Sequence, residues 1–324
     1  MIGRATIAVA AAIAIVAPSG AAEPTFRFQN NFWVNLHHVL RGEARRRTTQ
    51  MATGVKADAL TEAERAVWTS ALDGYADHAK RDLLFDGSLR RITNALAAVA
   101  NELAPDAMPA TIGGTTSRAL TAAAPIYRAH YWSAQRQLND RWIAALQPLL
   151  AAHGSAMSAA ISRTYRVEWP AAPIVVDAAA EAGPTGAYTI DGPDGTAAHT
   201  IVEAANPEYQ GDMAFEMLFH EASHARAIGG RIIAAIDAEA ARQHVTVPRD
   251  LWHTVIFYTT GELARRELGK SGETNYQPYA YRYGVYTRGW QPLRDALERD
   301  WQPYLDGRSG FDDALTALVR DCVR

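Results

Sequence analysis

The sequence predicts an α+β protein, predominantly helical, on three observations. Apolar residues recur at helical spacing from Asn30 to about Arg166. Three short β-branched runs separated by Gly and Pro turns follow between 173 and 203. Past Pro207 the helical spacing returns. These observations divide the chain into a large N-terminal helical region over 23–170 and a second region over 171–324. In the second, a small sheet (173–203) precedes a helix over 212–228, a further helix over 250–268 and C-terminal helices. The 324 residues, 48% hydrophobic and 21% charged, suffice for a full hydrophobic core and exclude wholesale disorder. A net charge of -3 provides no basic field to draw the protein to nucleic acid or anionic lipid. Cys322 is the single cysteine, so an intrachain disulfide and a thiolate metal cluster are excluded.

Residues 1–22 read as a signal peptide. Arg4 supplies the positive start, the apolar run from Ala5 to Ala17 is too short to span a bilayer, and Gly20-Ala21-Ala22 offers small residues for cleavage. The mature chain is therefore expected to begin near Glu23, to be periplasmic or secreted, and to carry no stable membrane anchor. Phe32, Leu36, Val39 and Leu40 form the first helical stripe. Thr61 to Glu64 is a capping box ahead of Val67, Trp68, Ala71, Leu72 and Tyr75. A third helix is expected over about 88–103, closed by Pro105, and a fourth from about Ser117 to Leu150 with a kink at Pro125. A shorter helix should follow His153-Gly154. The strands are Ile174-Val175-Val176, Ala187 to Ile190 and His199 to Glu203, parted by Gly183-Pro184, Gly192-Pro193 and Asp194-Gly195. Gly211-Asp212 opens the next helix, which should end at Gly229-Gly230. Another follows at once, and a third opens after Pro248 with Asp250 as its cap. Trp290 to Val323 reads as two amphipathic pieces.

The chemistry concentrates in His220-Glu221-Ala222-Ser223-His224, an HExxH motif. Residues four apart share a helix face, so His220 and His224 present two imidazoles to one ion. Glu221 projects about 100° round the helix, where a carboxylate reaches a water activated by that ion. So short a motif also arises by chance. Its apolar flanks, Leu218, Phe219 and Ala225, and its uncharged central residues argue against two solvated surface histidines.

At these residues the sequence resembles the zincin metallopeptidases over roughly 173–270. A metzincin would continue with glycine three and histidine six residues past His224, where this chain has Ala227 and Gly230. The resemblance therefore narrows to a gluzincin, in which a glutamate on a later helix is the third ligand. It implies a zincin-like core, a Zn2+ cofactor, Glu221 as general base, and an extended peptide or protein substrate bound along a sheet edge. His199 to Glu203 is the expected edge strand.

For the third ligand, Glu262 is favoured over Glu239. It lies in LWHTVIFYTTGELARR, apolar nearly all round, where a lone buried carboxylate needs a partner and Gly261 permits close helix packing. Glu239 shares a face with Ile232 and Ile236. His253, nine residues before Glu262, falls on the opposite side of a continuous helix, so the two should not bind one ion. Three roles stay open for His253: a packed histidine, a rival ligand, or a donor to the tetrahedral oxyanion. Tyr276, Tyr279, Tyr281, Tyr283 and Tyr286 offer alternative donors, and the alternation at 279, 281 and 283 suggests an extended segment. His37-His38 point about 100° apart and are expected to pack rather than ligate. The sequence leaves open the exact substrate, the endo- or exopeptidase mode and the oligomeric state. The competing expectation is a non-enzymatic helical binding or scaffold protein with a structural zincin-like core.

Overall fold

One four-stranded mixed sheet lies between two helical layers, each with its own core. The computed structural model describes residues 25–49, 59–102, 107–192, 198–272 and 275–323, so the expected leader over 1–22 lies outside the described residues. The strands are β1 (Phe26–Gln29), β2 (Ile174–Ala179), β3 (Ala187–Asp191) and β4 (Ala198–Glu203). They are ordered β1-β2-β4-β3, with β1 and β4 parallel to β2, and β3 antiparallel to β4. The period-two alternation of each strand serves both layers. Ile174, Val176, Ala178 and Val202 enter one core, while Ala179, Tyr188, Ile190 and Ile201 enter the other.

Two sequence expectations change here. His199 to Glu203 is not an edge: β4 is flanked by β2 and β3, and β1 and β3 are the outer strands. The division at 170/171 is crossed by β1, whose Phe26 to Gln29 pair with Ile174 to Asp177. A four-residue strand carries too little alternation to be read from sequence.

On one sheet face lie α1 (Phe32–Thr48), α2 (Glu62–Gly74), α3 (Ala76–Ala79), α4 (Gly87–Ala97) and α5 (Gly114–Tyr127). The Asn31 side chain caps α1 by accepting from the amides of Trp33 and Val34. The Thr61–Glu64 capping box forms as expected. His37 and His38 are both buried. Nδ1 of His37 lies 2.9 Å from the Tyr75 hydroxyl, and Nε2 of His38 lies 3.1 Å from that of Tyr188. Both are packed, hydrogen-bonded histidines. α4 stops at Ala97, short of the expected 103. Beyond Pro125 a π-helical turn over Arg128–Trp132 leads into α6 (Ser133–Tyr165). α6 runs on through Pro148 and the buried Gly154, so no separate helix begins there.

α6 crosses to the other face and packs with α7 (Gly211–Ala222), α8 (Arg226–Gln243) and α9 (Leu251–Gly269). α10 (Tyr279–Arg282), α11 (Gln291–Ala296), α12 (Gln302–Leu305) and α13 (Phe311–Asp321) complete this layer. Trp301, fully buried, anchors α13 through Phe311. The tyrosines at 279 and 281 lie on the short helix α10 rather than an extended segment, with hydroxyls donating to Glu208 and Glu298. Among the described residues no helix is long and apolar enough to cross a membrane.

The helix expected over 212–228 is broken inside the motif. α7 ends at Ala222, and the chain turns through Ser223, His224 and an extended Ala225 before α8. The Ser223 hydroxyl donates to the Phe219 carbonyl, and the His224 amide donates to the Glu221 carbonyl in a tighter turn. Gly229 makes the turn possible. A Cβ there would lie 1.9 Å from the Ser223 carbonyl oxygen. Gly229→Ala is therefore expected to cost about 1–3 kcal/mol by forcing α8 away from the turn. Denaturant unfolding of the variant beside wild type measures it, and an unchanged midpoint would refute this account of the break.

Candidate metal centre

α7 ends where α9 begins, and the two termini bring three imidazoles together. His220 comes from the last turn of α7, His224 from the turn beyond it, and His253 from the first turn of α9. One ring nitrogen from each lies within 4.8 Å of the others. The Nε2 atoms of His220 and His224 are 3.1 Å apart. Two nitrogens bound to one tetrahedral zinc at 2.0–2.1 Å would be about 3.3 Å apart, so this pair already fits an ion.

The surroundings keep the rings neutral and in place. Burial, then the neighbouring His224 and His253, hold His220 well below the ordinary histidine value. Burial, then His253, pushes His224 down to about 3, and burial pushes His253 down to about 4. Neutral imidazoles keep the lone pairs that a metal ion needs. Phe257 stacks on His220 with centroids 3.8 Å apart, and Trp252 stacks on His253 at 5.1 Å. Trp290 meets His253 edge-on at 5.3 Å. Stacking orients His220, because its Nδ1 is buried with no hydrogen-bond partner among the described residues.

Glu221 faces the sheet. Its Oε2 accepts from the Thr189 hydroxyl at 3.0 Å, and Thr189 is in turn 2.8 Å from the Thr200 hydroxyl. Burial lifts the Glu221 carboxyl to about 8, partly opposed by the Thr189 bond. The carboxyl is thus held against β3 by Thr189, in a buried site where a neighbouring cation would favour its charged form.

Neither glutamate expected as third ligand lies in the converging group. Glu262 is buried, but its carboxylate takes two bonds from Arg265, at 2.6 and 3.1 Å, and a longer one from Gln302. The burial cost is offset by an arginine one turn on, so no ion is required. Glu239 is likewise held by Arg242 and Gln243. The arginines at i+3 are visible in the sequence and are the available signal. The opposite-face argument holds; it separates Glu262 from His253, and His253 is the residue that joins the pair.

Sequence reasoning also misses Glu216, one turn before His220. It is fully buried and accepts from the Tyr276 hydroxyl at 2.5 Å and from the Tyr279 amide. Burial pushes its carboxyl up to about 7. Gly261 admits this arrangement, since a Cβ there would lie 2.6 Å from Pro278 and 3.2 Å from Glu216 Oε1. Glu216 therefore ties α7 to the 276–279 segment, which packs against α9 at Gly261. Comparison with protein-family models, with curated proteins and with solved structures gives no match for this chain.

Proposed function

We propose that the protein is a zinc-dependent hydrolase, a peptidase with a zincin-like core, and that His220, His224 and His253 hold the ion. The observation that carries this reading is the approach of His253 to the HExxH pair, with the buried Glu221 next to His220 in the chain. Three protein nitrogens would hold the ion, and three protein ligands are the pattern of catalytic rather than structural zinc sites. When bound, zinc polarises a carbonyl and lowers the pKa of its water towards about 7.

This chain's own residues do the rest. Glu221 takes the proton of the attacking water and later delivers it to the leaving amine. Thr189, backed by Thr200, holds Oε2 of Glu221 and leaves Oε1 for that transfer. β3 carries the Thr189 that Glu221 contacts and has one unpaired edge in the sheet, and an extended peptide can pair with that edge as an added strand. Trp252, Phe257 and Trp290 supply an apolar wall that excludes water. Export with cleavage near Ala22, giving a periplasmic or secreted enzyme, completes the proposal and rests on the leader's sequence.

The test is incubation of the mature protein with a diverse peptide library, with and without a chelator. Chelator-sensitive cleavage restored by zinc is expected. Absence of cleavage from zinc-loaded protein would favour the binding or scaffold alternative.

A further inference from the structure

A second site lies on the N-terminal layer, apart from the three histidines, and shares no residue with them. The C-terminal half of α1, the 79–84 segment after α3 and the turn between β2 and β3 enclose a cavity of about 360 Å³. That volume suits a small organic ligand. Arg41 and Arg45, one turn apart on α1, share a face and line it, and Lys80 and Arg81 are also among the lining residues. Asp82 is the one carboxylate among the lining residues, and its Oδ1 is occupied in accepting from the amides of Leu84 and Phe85.

Arg41 is the informative residue. It is 3% exposed, yet it has no ion pair among the described residues. Its Nη2 donates to the Arg81 carbonyl at 2.5 Å, and its Nε is buried with no partner. The nearby carboxylate of Glu181 is taken by Arg46 through two bonds, at 2.8 and 2.9 Å. Asp77 and Asp86 stand 3.7 Å from Lys80 and Arg81, in loose pairs at the surface. Burial, then the adjacent Arg45, push the Arg41 guanidinium below its ordinary value. Asp82 and Glu181 oppose this only in part, neither is hydrogen-bonded to Arg41, and an anion in the cavity would offset the remaining cost.

The wall beside Arg41 is shaped for close approach. Gly183 has φ of +88°, and a Cβ there would lie 2.7 Å from Leu83 Cδ1 and 3.6 Å from Arg41 Nη1. Glycine thus lets the β2–β3 turn pass over both side chains without filling the cavity.

We propose that this cavity binds a phosphoryl group, as free phosphate or diphosphate or as the phosphate of a small ester. Arg41 and Arg45 are its principal ligands. A guanidinium fork matches tetrahedral oxyanions, and four cations among the lining residues favour a multiply charged group over a single carboxylate. Leu83, Leu84 and Pro184 provide an apolar side for an ester's organic part.

The test is titration calorimetry of the full mature chain with inorganic phosphate, pyrophosphate and phenyl phosphate, at matched ionic strength. Saturable binding to one site is expected, and the preferred probe distinguishes free phosphate from an ester. Arg45→Gln alters an exposed residue and should weaken binding by about tenfold or more, given the strength of charge-assisted bonds. Its thermal midpoint should not change. Arg41→Met should abolish binding, but it alters a buried residue, so the decision rests on Arg45. Arg47→Gln, an exposed arginine on α1 paired with Asp73 and outside the cavity, should bind as wild type does. No saturable binding of any probe at millimolar concentration overturns the proposal. So does an unchanged affinity in Arg45→Gln, or an equal loss in Arg47→Gln.

Discussion

Glu221→Gln is expected to bind zinc as wild type does and to hydrolyse peptides about 10²- to 10⁴-fold more slowly, the usual contribution of a positioned general base. In the proposed site the metal and the general base fall to different groups. The three nitrogens that converge belong to His220, His224 and His253, whereas Glu221 points to Thr189 on β3. Glutamine keeps the shape and accepts the same hydroxyl, so the fold and the zinc site should persist. It has no basic oxygen to accept a proton from water. The pair of measurements is zinc by elemental analysis beside the rate on any cleaved peptide. A glutamine variant that cleaves at the wild-type rate removes the hydrolytic reading. One that has lost zinc removes the assignment of Glu221 as base rather than ligand.

His253→Ala is expected to weaken zinc binding by more than about 100-fold, because even residues that merely orient metal ligands cost 10- to 100-fold when removed. Glu262→Ala and Glu239→Ala should retain full zinc. Each carboxylate is already engaged by an arginine at i+3, and neither belongs to the converging group. The comparison is made by competition with a zinc-binding dye on purified, folded variants. Loss of zinc in Glu262→Ala with retention in His253→Ala would restore the glutamate as third ligand and refute the three-histidine centre.

Part of the candidate site is legible in the amino-acid sequence. His220, Glu221 and His224 stand out because their spacing is local, although His224 lies in the turn past the end of α7 rather than on the helix that the spacing implies. The break at Ser223 is not legible. It depends on Gly229 passing close to the Ser223 carbonyl, a contact between two helices rather than a propensity of either. His37 and His38 pack as their adjacency implies, since neighbouring helical residues cannot aim at one ion. Glu262 misleads because its burial can be inferred from the apolar residues around it while its partner is overlooked. Arg265 meets the carboxylate within the same helix.

By itself the sequence determined the helical and strand segments with strong periodicity, the α+β class, and the two histidines with the carboxylate between them. Each of these follows from interactions within a few residues, where backbone geometry sets direction. Only the tertiary structure decided that β3 rather than β4 is an outer strand, that β1 joins the sheet, and that His253 meets the motif. Strand order and the approach of α9 to α7 are set by packing between distant segments. Glu216 held by Tyr276 and Tyr279, and Gly261 against Pro278, fix that approach here, and no local pattern encodes which distant partners will meet.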